Sequence, residues 1–398
     1  MIAILLSPIY IIINIYIIKW LLKWTSACTP YFKTKYARYI IISIYIFFAS
    51  SFIIGFFLPI RTIKVIGNYW LGVVQYIVLS VSLADLIRLI LIKSKKISNK
   101  FLTAKKTFII SGFLCLIFVS TISTYGVIHA NKVVYTNYKV TINKTVESKK
   151  ELRIALISDL HLGYNSTLKH VKKYVSMINK LKPDLIIISG DIFDNSYSAI
   201  KEPTEIIEAL KTLKSTYGTY AVYGNHDIEE PILAGFTFSW KKNQGLSNPK
   251  MDEFLKKANI TLIKDDSLLI DNSFYLVGRL DYHKLGVAVE SRKTPEELLT
   301  NLDKTKPIIV LDHEPVEITE LSNNGADLDL SGHTHDGQMF PSNIFIKLFW
   351  PNPHGLIKEN NLTSIVTSGV GVYGPNMRIG TTEEVVCIDV TFKEANHE

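Results

Sequence analysis

Four long apolar stretches dominate the first third of the 398-residue chain. They cover residues 2–22, 39–60, 69–92 and 107–129. Each is close to the roughly 20 residues that a helix needs to cross the hydrocarbon core of a bilayer. The alternative is that the stretches are buried helices of a soluble protein, but one hydrophobic core is too small to bury four such stretches in succession. Residues 1–130 are therefore predicted to form a transmembrane domain of four helices.

After residue 130 the hydrophobic pattern changes to short runs. Residues 131–150 alternate apolar and polar positions, which predicts a linker with a first strand. The predicted strands that follow lie at 154–158, 185–189, 220–223, 260–263, 267–270, 274–277, 308–311, 328–331, 364–367 and 384–392. The predicted helices lie at 168–181, 205–213, 251–258 and 295–301. This alternation predicts an α/β sandwich with mixed sheets over residues 151–398.

The net charge of +8 lies mostly in the short loops between the apolar stretches. The loops after the first and third stretches are rich in basic residues, namely Lys23, Lys33, Lys35, Arg38, Lys93, Lys95, Lys96, Lys100, Lys105 and Lys106, whereas the second loop has Arg61 and Lys64. Basic loops stay in the cytoplasm. We therefore interpret the charge as membrane topology rather than nucleic-acid binding, with the segment after residue 130 outside the cytoplasm. Asp85 and Arg88 of the third stretch are expected to face other helices.

Polar side chains of the metal-ligand type follow five of the predicted strands. They are Asp159 and His161, then Asp191 and Asp194, then Asn225, His226 and Asp227, then His313, and finally His333 and His335. Open α/β sheets bind their ligands at the carboxyl ends of strands. A glycine separates strand from ligand in three of the five segments, which suits a sharp turn of the backbone.

Seven of these residues offer oxygen or imidazole donors: Asp159, His161, Asp191, Asn225, His313, His333 and His335. The three cysteines lie far apart and add no thiolate site. Such donors favour manganese, iron or zinc. Seven ligands are too many for one tetrahedral ion and suit two, about 3.5–4 Å apart, bridged by a carboxylate such as Asp191. Two divalent ions at that spacing favour phosphoester hydrolysis by metal-activated hydroxide.

The order and spacing of these segments resemble the calcineurin-like metallophosphoesterases. The matching blocks are Asp-x-His at 159–161, Gly-Asp-x-x-Asp at 190–194, Gly-Asn-His-Asp at 224–227, His313 and Gly-His-x-His at 332–335. The stretches 368–375 and 377–381 are similar to the membrane-associated bacterial subgroup of that family. Asp336 departs from the subgroup, which usually has glycine after His-Thr-His.

This resemblance implies a four-layer α/β/β/α sandwich joined to the transmembrane helices. It also implies two ligand sets, one of Asp159, His161, Asp191 and His335 and one of Asp191, Asn225, His313 and His333. His226 would stabilise or protonate the leaving oxygen, with Asp194 fixing its orientation. Two roles stay open for Asp227, namely supporting a metal ligand or capping a turn.

The expected function is that of a multi-pass, membrane-anchored phosphoesterase with two divalent ions. The sequence does not decide whether the substrate is a phosphodiester, a phosphomonoester or a pyrophosphate. Lipid and cell-envelope substrates are among the candidates. The alternative from another class is a non-catalytic membrane sensor or transport-type protein with a metal- or nucleotide-binding domain. No nucleic-acid partner is expected, because residues 150–398 lack a basic aromatic groove signature. The pattern does not predict an oligomeric state.

Overall fold

The structure is a computed structural model that describes residues 2–58, 60–95, 97–146, 149–233, 236–237, 248–285 and 291–393. Its contacts divide the chain into two compact units. The helical unit contains Met1–Ile128, Pro231–Ser239 and Gly374–Met377. The α/β unit contains His129–Glu230, Trp240–Tyr373 and Arg378–Glu398.

The helical unit is built from apolar helices whose side chains mostly face outwards. Its helices are α1 (Ile2–Cys28), α2 (Lys35–Phe57), α3 (Arg61–Ser94), the short α4 (Asn99–Leu102) and α5 (Lys105–His129), and a two-stranded ribbon joins β5 (Ile232–Leu233) to β6 (Phe236–Thr237). The four long helices are long and apolar enough to cross a membrane, and at most 17% of the residues in their most apolar windows are buried. The four predicted apolar helices are confirmed, and outward-facing apolar side chains suit contact with lipid.

Polar contacts join the long helices at a few points. The hydroxyl of Tyr16 on α1 donates to Oδ2 of Asp85 on α3 at 2.7 Å. Asp85, which we expected to face other helices, therefore has a partner on the first helix. The indole of Trp24 donates to the carbonyl of Ile109 on α5 at 3.1 Å. These bonds satisfy polar groups that would be costly to leave unpaired in lipid.

The α/β unit contains two six-stranded sheets. The first has the order β1-β14-β2-β3-β4-β7, and its strands are β1 (Val133–Thr145), β2 (Glu151–Ile157), β3 (Leu185–Ser189), β4 (Thr219–Val222), β7 (Ile260–Leu262) and β14 (Glu383–Lys393). β14 pairs antiparallel with β2 and parallel with β1, and the other pairs are parallel. This sheet is therefore mixed, as predicted.

The second sheet has the order β12-β13-β11-β10-β9-β8. Its strands are β8 (Asp266–Ile270), β9 (Phe274–Gly278), β10 (Ile308–Leu311), β11 (Leu328–Ser331), β12 (Gly355–Glu359) and β13 (Leu362–Val366). The four central strands run parallel, and both edge strands are antiparallel to their neighbours. This sheet is mixed as well.

Helices cover the outer faces of the two sheets. They are α6 (Leu168–Leu181), α7 (Pro203–Leu210), α8 (Pro249–Lys257), α9 (Pro295–Leu299) and α10 (Ile318–Asn323). The short helix α11 (Ser342–Phe345) has no buried residue. In β2, Ile154 and Leu156 pack in the core between the sheets, whereas Ala155 and Ile157 pack in the core with α6, α7 and α8. Apolar residues of β9 and β10 pack against α9 and α10. The predicted four-layer α/β/β/α sandwich is confirmed.

The structure differs from the predicted elements mainly where the elements are short. The predicted helix at 295–301 ends at Leu299, and α10 and β12 were not predicted. Six or fewer residues give too little periodicity to distinguish a helix or strand from a loop. α3 begins eight residues before the predicted apolar stretch. A helix can begin in polar sequence, and a prediction based on apolar runs leaves those first residues out.

Candidate metal centre

The predicted ligand residues lie in loops that follow β2, β3, β4, β10 and β11. Five of these residues have a positive φ, namely Asp159 (55°), His161 (42°), Asp191 (48°), His333 (71°) and His335 (50°). Residues other than glycine seldom adopt this conformation, which concentrates at functional sites. Here it turns the chain sharply at the strand ends. Backbone bonds from Asp159 to Gly190 and from His161 to Asp191, both 3.0 Å, join the first two loops.

Glycines allow the loops to approach the ligands closely. A Cβ atom at Gly190, whose φ is +81°, would lie 2.5 Å from Nδ1 of His313. A Cβ atom at Gly224 would lie 2.3 Å from Oδ1 of Asp191. Both glycines are therefore required sterically, and Gly190 is required for its backbone freedom as well.

Asp159, His161 and His335 form the first group of residues that could hold a metal ion. Their ligand atoms all lie within 4.8 Å of one another, and all three residues are buried. Nε2 of His161 lies 3.0 Å from Nε2 of His335, and the latter lies 3.3 Å from Oδ1 of Asp159. Three donor atoms thus converge on one point.

Asp191, His313 and His333 form the second group, again with ligand atoms within 4.8 Å of one another. Nε2 of His313 lies 3.2 Å from Oδ2 of Asp191 and 3.1 Å from Nδ1 of His333. Oδ1 of Asn225 lies 3.2 Å from Nε2 of His313, so the structure also brings Asn225 to this group. All seven predicted ligand residues therefore lie in two neighbouring groups.

Asp191 lies where the two groups meet. Its Oδ2 is 3.2 Å from Nε2 of His313 in the second group and 3.8 Å from Nε2 of His161 in the first. Its other oxygen accepts a bond of 2.8 Å from the backbone N–H of His226. This position suits a carboxylate shared between two ions.

The donor atoms at this centre fit divalent cations. Oδ1 of Asp159 is buried without a hydrogen-bond partner, and it points towards the imidazoles of the first group. Nε2 of His161 and Nε2 of His335 face the same space, and a cation there would take both unprotonated nitrogens as ligands. A buried polar atom without a hydrogen-bond partner destabilises the fold unless a bound ligand interacts with it.

Burial and neighbouring charges shift the pKa values of these groups. Burial raises the pKa of Asp159. Burial by itself lowers the pKa of His313, but the carboxylates of Asp191, Asp159 and Asp281 outweigh it and raise that pKa well above its usual value. The pKa of Asp191 stays well below its usual range because His313 and His226 offset the effect of burial. Without a cation, a proton on His313 therefore balances the carboxylates.

His226 lies at the edge of the first group, 5.2 Å from His161 between ring centroids. Its Nδ1 is paired with Oδ1 of Asn195, a residue that the sequence analysis did not single out. Asp194, predicted to orient His226, lies instead beside His161, with 3.7 Å between its Oδ1 and Nδ1 of that ring. Asn195 is 2% exposed and has a φ of 54°, so its amide is fixed in the loop. Its position next to the Gly-Asp-x-x-Asp segment was the only sequence signal.

Asp227 links two loops of the centre. Its Oδ1 accepts a bond from the N–H of Phe193, and its Oδ2 accepts one from the N–H of Gly224, both at 2.7 Å. Burial raises the pKa of Asp227 to about 7, although both backbone bonds lower it. Asp227 therefore caps the turn that carries Asn225 and ties that turn to the loop of Asp191.

A buried arginine supports His335 from behind. Arg378 is 0% exposed and donates to the carbonyls of His335 (2.9 Å), Ser368 (2.6 Å) and Gly371 (2.8 Å). Its Nη2 also lies 3.1 Å from Nδ1 of His335. Arg378 lies in the stretch 377–381 that resembles the membrane-associated subgroup, but that resemblance assigned no contacts to it.

Asp336, the departure from the subgroup pattern, is oriented towards His354. Its Oδ2 lies 3.9 Å from Nδ1 of that ring, and Nε2 of the ring lies 3.0 Å from Glu384. Burial raises the pKa of Asp336. The carboxylate is therefore paired with a histidine outside the two ligand groups.

Comparisons with known proteins agree with this geometry. The family model of the calcineurin-like phosphoesterases matches residues 152–337. An uncharacterized metallophosphoesterase of Aquifex aeolicus is 30% identical, and the alignment covers 63% of this chain and 90% of that protein. A zebrafish (Danio rerio) transmembrane protein with a metallophosphoesterase domain is also 30% identical, over 71% of this chain and 62% of the relative.

A third relative has a named activity. The UDP-2,3-diacylglucosamine pyrophosphatase LpxG of Chlamydia trachomatis is 26% identical, over 50% of this chain and 66% of that protein. The chain thus spans less than two thirds of the zebrafish and chlamydial relatives. The predicted resemblance to metallophosphoesterases is confirmed, and relatives described as transmembrane agree with a membrane protein.

Proposed function

The chain belongs to the calcineurin-like phosphoesterases, a family of phosphoester hydrolases, and from that premise we propose that it hydrolyses phosphoesters at a centre of two divalent ions. The observation that carries the proposal is the convergence of two ligand groups on Asp191. Asp159, His161, Asp191 and His335 would hold one ion. Asp191, Asn225, His313 and His333 would hold the other, and manganese, iron or zinc suits these donors.

The ions would supply positive charge to the phosphoryl oxygens and acidify a water molecule. The residues of the chain hold the donors in place for this purpose. Asp191 is fixed by the N–H of His226, and Asp227 ties the loop of Asn225 to that of Asp191. Groups that are positioned before the substrate binds need no reorganisation during the reaction. This preorganisation provides the larger part of electrostatic catalysis.

His226 would exchange a proton with the leaving oxygen. An amide oxygen only accepts, so the pairing with Oδ1 of Asn195 assigns the ring proton to Nδ1. The amide nitrogen of Asn195 faces the carbonyl of Ile228 at 3.5 Å, which agrees with that orientation. Burial lowers the pKa of His226 to about 4, against the opposing effect of Asp191. The neutral ring then presents an unprotonated Nε2, so His226 would first take a proton there from the attacking water and then give it to the leaving oxygen. Asn195 rather than Asp194 would orient the ring for both transfers.

The membrane helices would anchor this centre at a cell membrane. We assign residues 1–130 to a multi-pass transmembrane domain, 131–150 to a linker with the first strand, and 151–398 to the catalytic domain. The basic loops after the first and third apolar stretches support an extracytoplasmic catalytic domain. A reporter enzyme fused after residue 398 should be active outside the cytoplasm, and activity only inside would reverse the orientation.

A lipid-linked phosphoester or pyrophosphate is the substrate class that the anchor favours. A chlamydial relative that is named as a pyrophosphatase of a diacylated sugar nucleotide supports this direction. The four helices that could cross a membrane support it independently, since they would keep the centre near lipid.

The test uses the full chain in detergent, stripped of metal and then reloaded with manganese. Hydrolysis of bis-p-nitrophenyl phosphate would be compared with that of p-nitrophenyl phosphate, with Asp191→Asn as the control. We expect metal-dependent turnover that the variant loses. Bound metal without turnover of either soluble ester or of a lipid-linked one would instead favour a non-catalytic binding protein.

A further inference from the structure

A group of large apolar side chains is exposed on the α/β unit just after the Gly-His-x-His segment. Its members are Phe340 (45% exposed), Ile344 (57%), Phe345 (53%), Leu348 (77%) and Phe349 (75%). Lys347 is exposed among them. We call these side chains the 340–349 surface. Soluble proteins rarely expose contiguous apolar groups of this kind, which usually mark an interaction site.

The backbone beneath the 340–349 surface is held in place. The N–H of Phe340 donates to the carbonyl of Ile379 at 2.7 Å, and the amide of Asn343 donates to the carbonyl of Gly380 at 3.3 Å. Helix α11 and a turn of 3₁₀ helix at Ile346–Leu348 form the rest of the segment. A fixed backbone that presents apolar side chains outwards has little entropy to lose on binding.

The segment that carries the 340–349 surface is connected along the chain to the candidate metal centre at both ends. It begins five residues after His335 and ends next to Trp350. The indole ring of Trp350 packs against the imidazole of His333, with ring centroids 4.9 Å apart. The chain therefore passes from the 340–349 surface to a ring that packs on the second ligand group within one residue.

We propose that the 340–349 surface docks on the lipid bilayer. The composition fits, because aromatic and aliphatic side chains can enter the boundary of the acyl chains while Lys347 reaches the headgroups. The chain would already lie at a bilayer, since four of its helices are long and apolar enough to cross one. Only residues 130–132 separate α5 from β1, so this connection spans at most about 14 Å when extended.

Docking would bring the metal centre to phosphate groups at the membrane surface. This consequence rests on the proposed function, whereas docking itself does not. A phosphoester in a lipid headgroup would then reach the centre from the side of Trp350, without leaving the membrane.

The experiment places the fluorophore NBD on single cysteines in the full chain, in vesicles of phosphatidylethanolamine and phosphatidylglycerol. Cys28, Cys115 and Cys387 are first replaced, and thermal melting verifies the fold of this background. Leu348→Cys reports on the surface. Leu269→Cys is the matched control, because Leu269 is an exposed leucine (43%) on the edge strand β8.

We expect doxyl-labelled lipids to quench the label at position 348 and to leave that at position 269 bright. No quenching at 348 would overturn the proposal, and so would equal quenching at both positions, which would mean that the unit lies against the bilayer without a specific surface. A disulfide between two copies through Leu348→Cys, without quenching, would assign the surface to a second copy of the chain and refute lipid docking.

A second arm measures the consequence for catalysis. The double variant Leu348→Ser and Phe349→Ser should keep the turnover of bis-p-nitrophenyl phosphate and lose turnover of phosphoesters embedded in vesicles. Equal retention of both activities would show that docking is not used for substrate access. Absence of all activity in the unaltered chain would count against the proposed function. The quenching result would still decide, independently of activity, whether the surface docks on lipid.

Discussion

The phenol ring of Tyr373 packs against the imidazole ring of His226, with centroids 4.2 Å apart and planes tilted by 42°. The backbone of Tyr373 is held by Gln338, whose side-chain amide donates to its carbonyl and accepts from its N–H, both at 2.9 Å. Gln338 lies three residues after His335. The loop of the first ligand group thus fixes the ring that limits the motion of His226.

Replacing Tyr373 by alanine should lower kcat by about 10- to 100-fold, because a misplaced catalytic group costs rate without weakening substrate binding. Tyr373→Phe is the matched control and should stay near the wild-type rate, since it keeps the ring. Steady-state kinetics would separate kcat from KM. Equal rates for the alanine and phenylalanine variants would exclude a positioning role for the ring.

The role of His226 predicts a dependence on the leaving group. His226→Asn should slow the hydrolysis of an alkyl phosphoester by about 10²- to 10⁴-fold, the usual contribution of proton transfer. The loss should be smaller for p-nitrophenyl esters, whose leaving group needs no proton. Asn195→Ala should show the same trend with a smaller loss, because His226 stays but its orientation loosens. An identical loss for both leaving groups would argue against proton transfer by His226.

Metal binding should compete with protons at this centre. The raised pKa of His313 means that the metal-free protein holds a proton there at neutral pH, and Asp159 with its raised pKa adds to this effect. The ion pair of His313 with Asp191 stabilises the metal-free fold below the ordinary pKa of histidine, and this stabilisation is lost as pH rises through the raised value. Manganese must displace the proton, so its affinity should fall by about tenfold per pH unit on acidification for each proton released.

Calorimetric titration with manganese in two buffers of different ionisation enthalpy measures this release. The binding heats should differ between the buffers at neutral pH and converge at alkaline pH, where His313 has already lost its proton. Asp281→Asn serves as the control, since it removes a carboxylate that raises the pKa of His313 and belongs to neither ligand group; the difference between the buffers should shrink in this variant. The same heat in both buffers at every pH would contradict the prediction.

The long apolar helices, the mixed sheets and the residues at the strand ends could be predicted because each leaves a local signal. Apolar runs of characteristic length mark the helices and strands, and Asp159 and His333 each lie two residues after such a strand. Asn195 left no such signal, and the two stretches that contain Tyr373 and Arg378 were noted only for their resemblance to the subgroup, with no contact assigned to either residue. Their contacts with His226 and His335 depend on how distant loops return to the centre, and Arg378 lies 43 residues beyond His335 in the sequence. The 340–349 surface was missed for a related reason, since a short apolar segment in sequence gives no information about exposure.

The buried contacts of Arg378 predict a large effect on stability. Arg378→Lys keeps the positive charge, but a single ammonium cannot replace a planar group that reaches the carbonyls of His335, Ser368 and Gly371. Each buried carbonyl left unpaired costs about 1–3 kcal/mol. The free energy of unfolding should therefore fall by about 3 kcal/mol, visible as a lower melting temperature in detergent.

Arg153→Lys is the matched control for this substitution. Arg153 is 47% exposed and paired with Asp389 at 2.7 Å, and exposed pairs of this kind contribute at most about 1 kcal/mol. Its melting temperature should stay close to that of the unaltered chain. Because Arg378 also fixes the backbone of His335, Arg378→Lys should bind manganese more weakly even below its melting temperature, whereas Arg153→Lys should not. A melting temperature and a manganese affinity that are unchanged in Arg378→Lys would mean that the loop 368–371 holds its position without the arginine.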